Sequence, residues 1–461
     1  MDLGHRLCHS FQPALGVDAV GCAHKADAKV LAADFHGTRH SDSVFEQDCS
    51  RVGRAYNSRF VTKPEPATPT PRRAARVLMI LDNPCRPDPR VLKEAKSLSE
   101  SGWSVTIAAW DRTGALDPLE TVSPQITIVR VSSPSRHRGW AGRILTALRY
   151  WRAVAALAKN DGFDVFHSHD LPDLPIGAYL SLRWRRPLVY DAHELYWLDR
   201  GDHRARLWRA VERVAERALL LRVDSLITVS DYLADYYRAL HRNVAVVGNW
   251  YDEQPVDRSA GLALRARLGI SPKTFCLSYV GAMGPERDLD LLLDYAAVHL
   301  EVAVVVAGSG GAAPAVEAAA ARLPNLHFLG HVVDPRPIFG ASDALYYALR
   351  EDSPYSHIVS PNNLFLSVAT RIPLITTPLG DAGRIVGNSG AGEILTRSTV
   401  TELERAVAAL RDLRRRAEID RGLEALGVEF SWQRAAANLL LVYDRLAPLV
   451  AASTLAVSRG D

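Results

Sequence analysis

Two segments of the chain, VFHSHDLPDLP at 165–175 and LVYDAHELYWL at 188–198, each open as a short apolar, β-branched run and close in histidine and carboxylate. Runs of this kind read as buried parallel strands. Their C-terminal ends carry polar side chains into the crevice where open α/β sheets bind ligands. His169, Asp170, His193 and Glu194 are therefore the first candidates for chemistry. A single histidine at a strand end is more often structural, but two such ends in succession favour a functional pair. A histidine there can carry a proton or a positive charge near neutral pH, and Asp170 can orient it.

Periodicity gives the elements that must hold these side chains. From Arg76 onward, strand-like runs alternate with helical patterns: RVLMIL, the helix DPRVLKEAKSLSESG closed at Gly102, WSVTIAAW, ITIVRV, then DVFHS and LVYDA. Apolar positions recur at helical spacing through Ile144, Leu148, Trp151, Ala155 and Leu157, and again through Leu207, Val211, Val214, Ala218 and Leu221. SLITVS, a helix from Asp231 and NVAVVGN complete a first domain over 76–249. A polar stretch at 250–274 reads as the linker. A second series (FCLSYVG, VAVVVAGSG, NLHFLG, DALYYAL, IPLITT) occupies 275–430, followed by a closing helix at 431–448 and a tail at 449–461. Strand–helix alternation of this order predicts two doubly wound parallel sheets. Residues 1–75 have weak periodicity and end in TKPEPATPTPRRAA, which cannot hold a helix or a central strand, so a disordered tail is expected there.

Composition excludes several classes. A net charge of +3 over 461 residues is too small to argue for nucleic acid, and 48% hydrophobic with 23% charged residues is ordinary for a globular enzyme. Cys8, Cys22, Cys49, Cys85 and Cys276 are scattered without CxxC spacing, which points to a reducing compartment and no disulfide framework. Cys8, His9, Cys22, His24 and Cys49 match no zinc-finger spacing, so no zinc site is expected. No apolar run has the length of a membrane span, and the N-terminus lacks a signal-peptide core, so a cytoplasmic location is expected. Arg136, Arg138, Arg143, Arg149 and Arg152 with Trp140, Tyr150 and Trp151 offer a basic, aromatic helix. It is either a solvated face or a peripheral contact with an anionic membrane.

The same strings resemble a known family. Retaining glycosyltransferases of the GT-B fold, family 4, often end one strand in H-x-H-D and the next in Y-D-x-H-E. VSPNNLFLSVATRIPLITT is similar to their S-P-N-K-L-F-E-Y-x-A-x-G-x-P-V through Ser360, Pro361, Asn362, Leu364, Phe365, Ala369 and Pro373. LDNPCRPDPRVLKEA resembles their first strand-to-helix loop, and SWQRAAANLLLVYDRL their closing helix.

The resemblance implies an α/β protein of GT-B type, with two Rossmann-like doubly wound domains facing a central cleft. It implies transfer of a sugar from a nucleotide-sugar donor to a hydroxyl acceptor with retention. The donor phosphate serves as base, no metal or further cofactor is needed, and no nucleic acid takes part. The acceptor would be a glycan, a lipid-linked molecule or a small molecule, as in polysaccharide biosynthesis. His169 and Asp170 would sit at the transferred sugar. Gly281, Arg287, Gly308, Asn362, Asn363 and Leu364 would bind the donor. The glycines leave bare backbone at strand ends, and the arginine can grip phosphate oxygens in a fork. Pro361 fits a helix start, leaving the next three N–H groups free to face the donor phosphates. Asp88, Arg90, His193 and Glu194 would bind the acceptor. Simpler roles stand beside these: Asp88 as a helix N-cap, Arg287 as an exposed helix-start arginine, Glu194 as a cap of the following turn.

Several positions depart from the family pattern. Asn363 stands for the lysine, Leu366 for a ribose-binding glutamate, Ile358 for its partner glutamate, Arg371 for a glycine and Ala282 for an arginine. Glu351 and Asp352 are candidates to replace the missing carboxylates. These departures motivate an alternative, a GT-B-like binding protein with a degraded donor site. A nucleotide-sugar epimerase of the same architecture is a weaker alternative.

Overall fold

The computed structural model describes residues 74–86, 88–133, 140–198 and 206–459. The disordered tail and zinc readings at the N-terminus, and Arg136 and Arg138, lie outside the described residues. The first sheet contains β1 (Arg76–Leu81), β2 (Ser104–Asp111), β3 (Leu119–Ser123), β4 (Ile126–Ser132), β5 (Val165–His169), β6 (Leu188–Ala192), β7 (Ser225–Thr228) and β8 (Val244–Val246). Its helices are α1 (Pro89–Glu100), α2 (Trp140–Asp161), α3 (Asp170–Trp184), α4 (Arg206–Leu219) and α5 (Asp231–Arg238). The spatial order is β3-β4-β2-β1-β5-β6-β7-β8, and every pair is parallel except β3 with β4. Successive connections move one way from β1 and the other way from β5. The crevice therefore opens beyond the C-terminal ends of those two strands.

Helix α6 (Arg258–Arg267) precedes the second sheet. That sheet holds β9 (Phe275–Val280), β10 (Val302–Ala307), β11 (Leu326–Phe328), β12 (Ala344–Tyr347), β13 (Leu374–Thr376) and β14 (Gly392–Ile394), all parallel, in the order β11-β10-β9-β12-β13-β14. Its switch point falls between β9 and β12. The surrounding helices are α7 (Leu289–Val298), α8 (Ala313–Ala320), α9 (Arg336–Ala341), α10 (Asn362–Thr370), α11 (Gly380–Ser389), α12 (Val400–Arg411) and α13 (Leu413–Glu429). The last helix, α14 (Trp432–Arg459), buries Ala435, Leu439, Val442, Tyr443 and Leu446. It returns to the first sheet: Trp432 Nε1 donates to Ser97 Oγ at 3.2 Å, Asn438 Nδ2 donates to Val246 O at 2.9 Å, and Tyr443 meets Trp103 edge-on at 5.0 Å.

Four local expectations are revised. The polar stretch 250–274 is not bare linker. Asp257 caps α6, accepting from Ser259 N and Ala260 N, and Gly261 lies so close to α9 that a Cβ would stand 2.0 Å from the Gly340 carbonyl carbon. The closing helix runs past residue 448 to Arg459. Tyr150 does not contribute to a basic, aromatic surface. It is buried, stacks on Trp110 at 4.9 Å and donates to the Leu81 and Ala108 carbonyls. The periodic stripe of α4 faces solvent rather than the sheet.

Candidate active site

Strand alternation builds the first-domain wall. His167 and His169 are two apart on β5, so their rings share one face and stack at 4.4 Å. Asp191 lies opposite His169 in the β5–β6 register. The α1 helix, capped by Asp88 through Val91 N, sets Arg90 and Glu94 one turn apart over the same place.

Asp191 is the hub. Arg90 grips it as a fork, Nη2 to Oδ1 at 2.7 Å and Nε to Oδ2 at 3.0 Å. His193 Nε2 lies 2.9 Å and His169 Nδ1 3.2 Å from Asp191 Oδ2. Burial would raise the Asp191 carboxyl, but the Arg90 guanidinium and His193 outweigh it and hold Asp191 well below the usual range. Arg90 also donates to Val247 O at 2.6 Å and Asn249 Oδ1 at 3.1 Å, and sits 3.1 Å from Glu94. Beneath it, burial pushes Glu94 up to about 7, against the pull of Arg90.

His193 lies between two carboxylates. Asp170 Oδ2 is 3.1 Å from its Nδ1, Asp170 Oδ1 accepts from its backbone N at 3.1 Å, and Asp191 holds its Nε2. Burial alone would lower its pKa. The two carboxylates overcome that and hold it well above the ordinary histidine value. Both ring nitrogens are engaged, Nδ1 by Asp170 and Nε2 by Asp191 and by Arg90 Nε at 3.0 Å. Asp170 makes this clamp from a left-handed backbone, φ +63. His193 and Asp170 keep 22% and 18% side-chain exposure, whereas His169 is buried, with no hydrogen-bond partner at Nε2 among the described residues.

The second-domain wall forms where β9, β12 and α10 converge. Gly281 follows β9 at φ +154, and a Cβ there would stand 3.7 Å from Oδ1 of Asn363, whose Nδ2 donates to Val280 O at 2.9 Å. Gly308 is required by packing, because a Cβ there would lie 1.8 Å from Gly281 O. Arg287 is not an exposed helix-start arginine. Its guanidinium lies over the Tyr347 ring at 4.6 Å, one nitrogen stands 3.4 Å from Glu286, and Nε and Nη1 are buried without hydrogen-bond partners. The Tyr347 hydroxyl and the Ser353, Ser356 and Ser360 hydroxyls are likewise buried and unpartnered among the described residues. Buried donors without acceptors cost free energy. Of the three N–H groups expected at the α10 start, that of Leu364 donates to Pro361 O, while Asn362 and Asn363 occupy the first turn, where the helix offers no acceptor.

The structure thus brings His169, Asp170, His193 and Arg90 into one cluster, with Glu194 half-buried beside it. Asp88 caps α1, and every donor of Arg90 named above is taken by the protein. Glu351 and Asp352 are exposed and line a recess of about 510 Å³ with Asp288, Arg350, Thr377 and Arg397. Ile358 packs into the apolar cluster of the first domain, and Leu366 packs against the main core. Sequence reasoning passed over Asp191, Glu94, His167 and Tyr443. Asp191 had a signal: a carboxylate inside an apolar strand must find a cation.

Two family models match the chain, "Glycosyl transferase 4-like domain" over residues 87–250 and "Glycosyl transferases group 1" over 274–412. The D-inositol 3-phosphate glycosyltransferase of Geodermatophilus obscurus is 27% identical over 399 residues, covering 79% of this chain and 85% of that protein. Among solved structures, sucrose-phosphate synthase from Thermosynechococcus elongatus superposes with a TM-score of 0.69 at 16% identity, covering 81% of this chain and 99% of that one. Anabaena HepE in complex with UDP and glucose gives 0.61 at 16% identity, covering 80% and 99%. The chain belongs to the group 1, family 4 glycosyltransferases of GT-B fold, enzymes that transfer a sugar from a nucleotide-sugar donor.

Proposed function

We propose that this enzyme moves a hexosyl group from a nucleoside diphosphate sugar to a hydroxyl of a small anionic acceptor, with retention and without a metal. One observation carries the donor half. Arg287 presents two buried N–H groups without a partner among the described residues, against the Tyr347 ring of β12, while Asn363 in the first turn of α10 reaches the end of β9 at Val280. A fork of donors and a positive helix end suit a diphosphate, and they supply the positive charge that the leaving group needs. UDP is the first base to test, because a structural relative was solved with it.

His193, clamped between two carboxylates and partly exposed, reaches the cleft from the first domain and faces the acceptor or the departing phosphate. The relative named for inositol 3-phosphate makes a cyclitol or sugar phosphate the first acceptor class to try. Glycan and lipid-linked acceptors follow. Arg90 acts through Asp191 as a positioning residue. His169 Nδ1 faces the Asp191 carboxylate, so its Nε2, buried and without a partner among the described residues, is the acceptor that meets a sugar hydroxyl in the loaded cleft.

The test is a panel of UDP- and GDP-sugars against cyclitol phosphates, sugar phosphates and glycans, with product anomer read by proton NMR. Transfer with retention is expected, and His169→Gln should lower kcat ~100-fold or more. Inversion would overturn the mechanism. Failure of every nucleotide and nucleotide sugar to bind in calorimetry would favour the degraded-site reading that Leu366 and Ile358 suggest.

A further inference from the structure

The chain passes between its two sheets twice. The first passage runs from β8 at Val246 to α6 at Arg258, and the second from α13 at Glu429 to α14 at Trp432. Lys93, in α1, touches both. Its Nζ donates to the Trp250 carbonyl at 2.7 Å and lies over the Tyr251 ring at 4.2 Å in the first passage. It lies over the Trp432 ring at 4.4 Å in the second. The passages also hold each other, because Gln433 N donates to Asp252 Oδ1 at 3.2 Å. An ammonium group set against two aromatic faces is drawn to both, and more strongly as water is taken from it. Burial lowers the Lys93 pKa to about 8, so the group keeps its charge at neutral pH while giving up much of its water.

Arg90 stands one turn before Lys93, and its Nη1 donates to Val247 O and Asn249 Oδ1. Helix α1 therefore grips the first passage at Val247, Asn249 and Trp250, while the same Arg90 holds Asp191 in the first-domain wall. Trp250 in turn packs its ring against Phe365 of α10 at 6.4 Å and edge-on to Phe430 at 5.2 Å. Gln254 N donates to Ala369 O, near the end of α10, at 2.8 Å. The first turn of that helix stands in the second-domain wall through Asn363. Lys93 thus lies where the first-domain wall, both passages and the contacts to α10 meet. An apolar side chain could fill the same space. What only a cation supplies is a directed hold on one carbonyl and two rings at once.

We propose that Lys93 is a positioning residue for sugar transfer: by pinning both passages to α1, it fixes the angle at which the two walls of the cleft face each other. The role rests on the transferase reading given above, in which donor and acceptor are held on different walls. Their reacting atoms then meet only at the right angle, and a misplacement of about 1 Å costs on the order of 100-fold in rate. Lys93 itself touches neither substrate.

Hydrogen exchange on the full chain, which needs no substrate, tests the pin. Val247, Gln254, Gln433 and Arg434 are the reporters, since the backbone N of each donates a hydrogen bond in or beside a passage. K93M keeps the stem and removes the charge and the donor. The reporter amides should then exchange ~10-fold faster or more, with those of β1 and β5 unchanged. K93R still offers a cation and a donor and should stay near wild type. W432L leaves Lys93 in place and frees only the second passage, so Gln433 and Arg434 alone should speed up. Kinetics test the role. With the donor and acceptor that support transfer, K93M should lower kcat ~10-fold or more while donor KM stays within ~2-fold, and K93R should restore kcat. Unchanged exchange in K93M would remove the pin. Faster exchange with wild-type kcat, or equal loss in K93M and K93R, would make Lys93 a packing residue and overturn the proposal. A wild-type chain that transfers no sugar would sink the transferase reading and this role with it, and exchange would still show whether Lys93 pins the passages.

Discussion

The hydroxyl of Tyr443, on the last helix, lies 2.9 Å from Nδ1 of His167, on the strand that carries His169. The two residues are 276 positions apart, and this contact ties the returning C-terminal helix to the floor of the site. Burial holds His167 well below the ordinary histidine value, helped by neighbouring His169, so the bond is between neutral partners. Tyr443→Phe should therefore cost about 1–2 kcal/mol, the cost of an orphaned buried nitrogen. Urea unfolding checks this. An unchanged midpoint would mean the contact contributes nothing.

Arg287→Met separates binding from folding. The guanidinium gives up Glu286 at 3.4 Å and the Tyr347 ring, while its Nε and Nη1 have no partner among the described residues to lose. The variant should melt near the wild-type temperature while UDP binding in calorimetry weakens ~30-fold or more. Unchanged UDP affinity would remove Arg287 from the donor site.

Asp170→Asn tests the His193 clamp. With one carboxylate neutralised, the His193 pKa should fall, which an imidazole NMR titration follows directly. The sign for stability is fixed by the raised pKa. In the wild type the contribution of His193 is complete below about pH 6.5, its unfolded value, and is lost as pH rises through the higher folded value. The variant should lose part of that contribution. A titration identical to wild type would show that Asp170 does not hold the proton.

Glu94 has the opposite chemistry and the same direction. Its folded pKa of about 7 exceeds the ordinary 4.5, so the folded state keeps a proton that the unfolded chain releases. Stability from this group is full below about pH 4.5 and is lost by about pH 7, on the order of 2–3 kcal/mol. Glu94→Gln should flatten that slope in denaturant melts at about pH 5 and about pH 8. A slope that persists in the variant would assign it elsewhere.

Leu366→Glu asks whether the donor pocket tolerates the family carboxylate. Leu366 is half-buried against the core. If the carboxylate reaches a ribose hydroxyl, nucleotide affinity should rise ~10-fold, the worth of one charged hydrogen bond. Loss of stability with no gain in affinity would show that position 366 serves packing alone.

The periodicity of the chain determined the alternation of strands and helices, because period 2 and period 3.6 are local properties of the backbone. It also determined which side chains stand at strand ends, so His169, Asp170 and His193 were legible from their types and places in the sequence. What they do for one another was not. That His193 is clamped between Asp170 and Asp191, that Arg90 is spent on Asp191, and that His169 lies beneath the surface all depend on which strand ends the switch point sets side by side and on what α1 and α14 lay over them. Helix α4 makes the same point from outside. Its stripe of Leu207, Val211 and Val214 predicts a helix with one apolar face, and any such stripe reads as inward-facing. Only the tertiary structure, in which Tyr190 and Tyr237 reach out from the fold to take hold of Glu216, decided that the polar side faces in and the apolar side faces out. Hydrophobic pattern fixes the existence of a face. Its direction is set by where buried polar groups must find their partners.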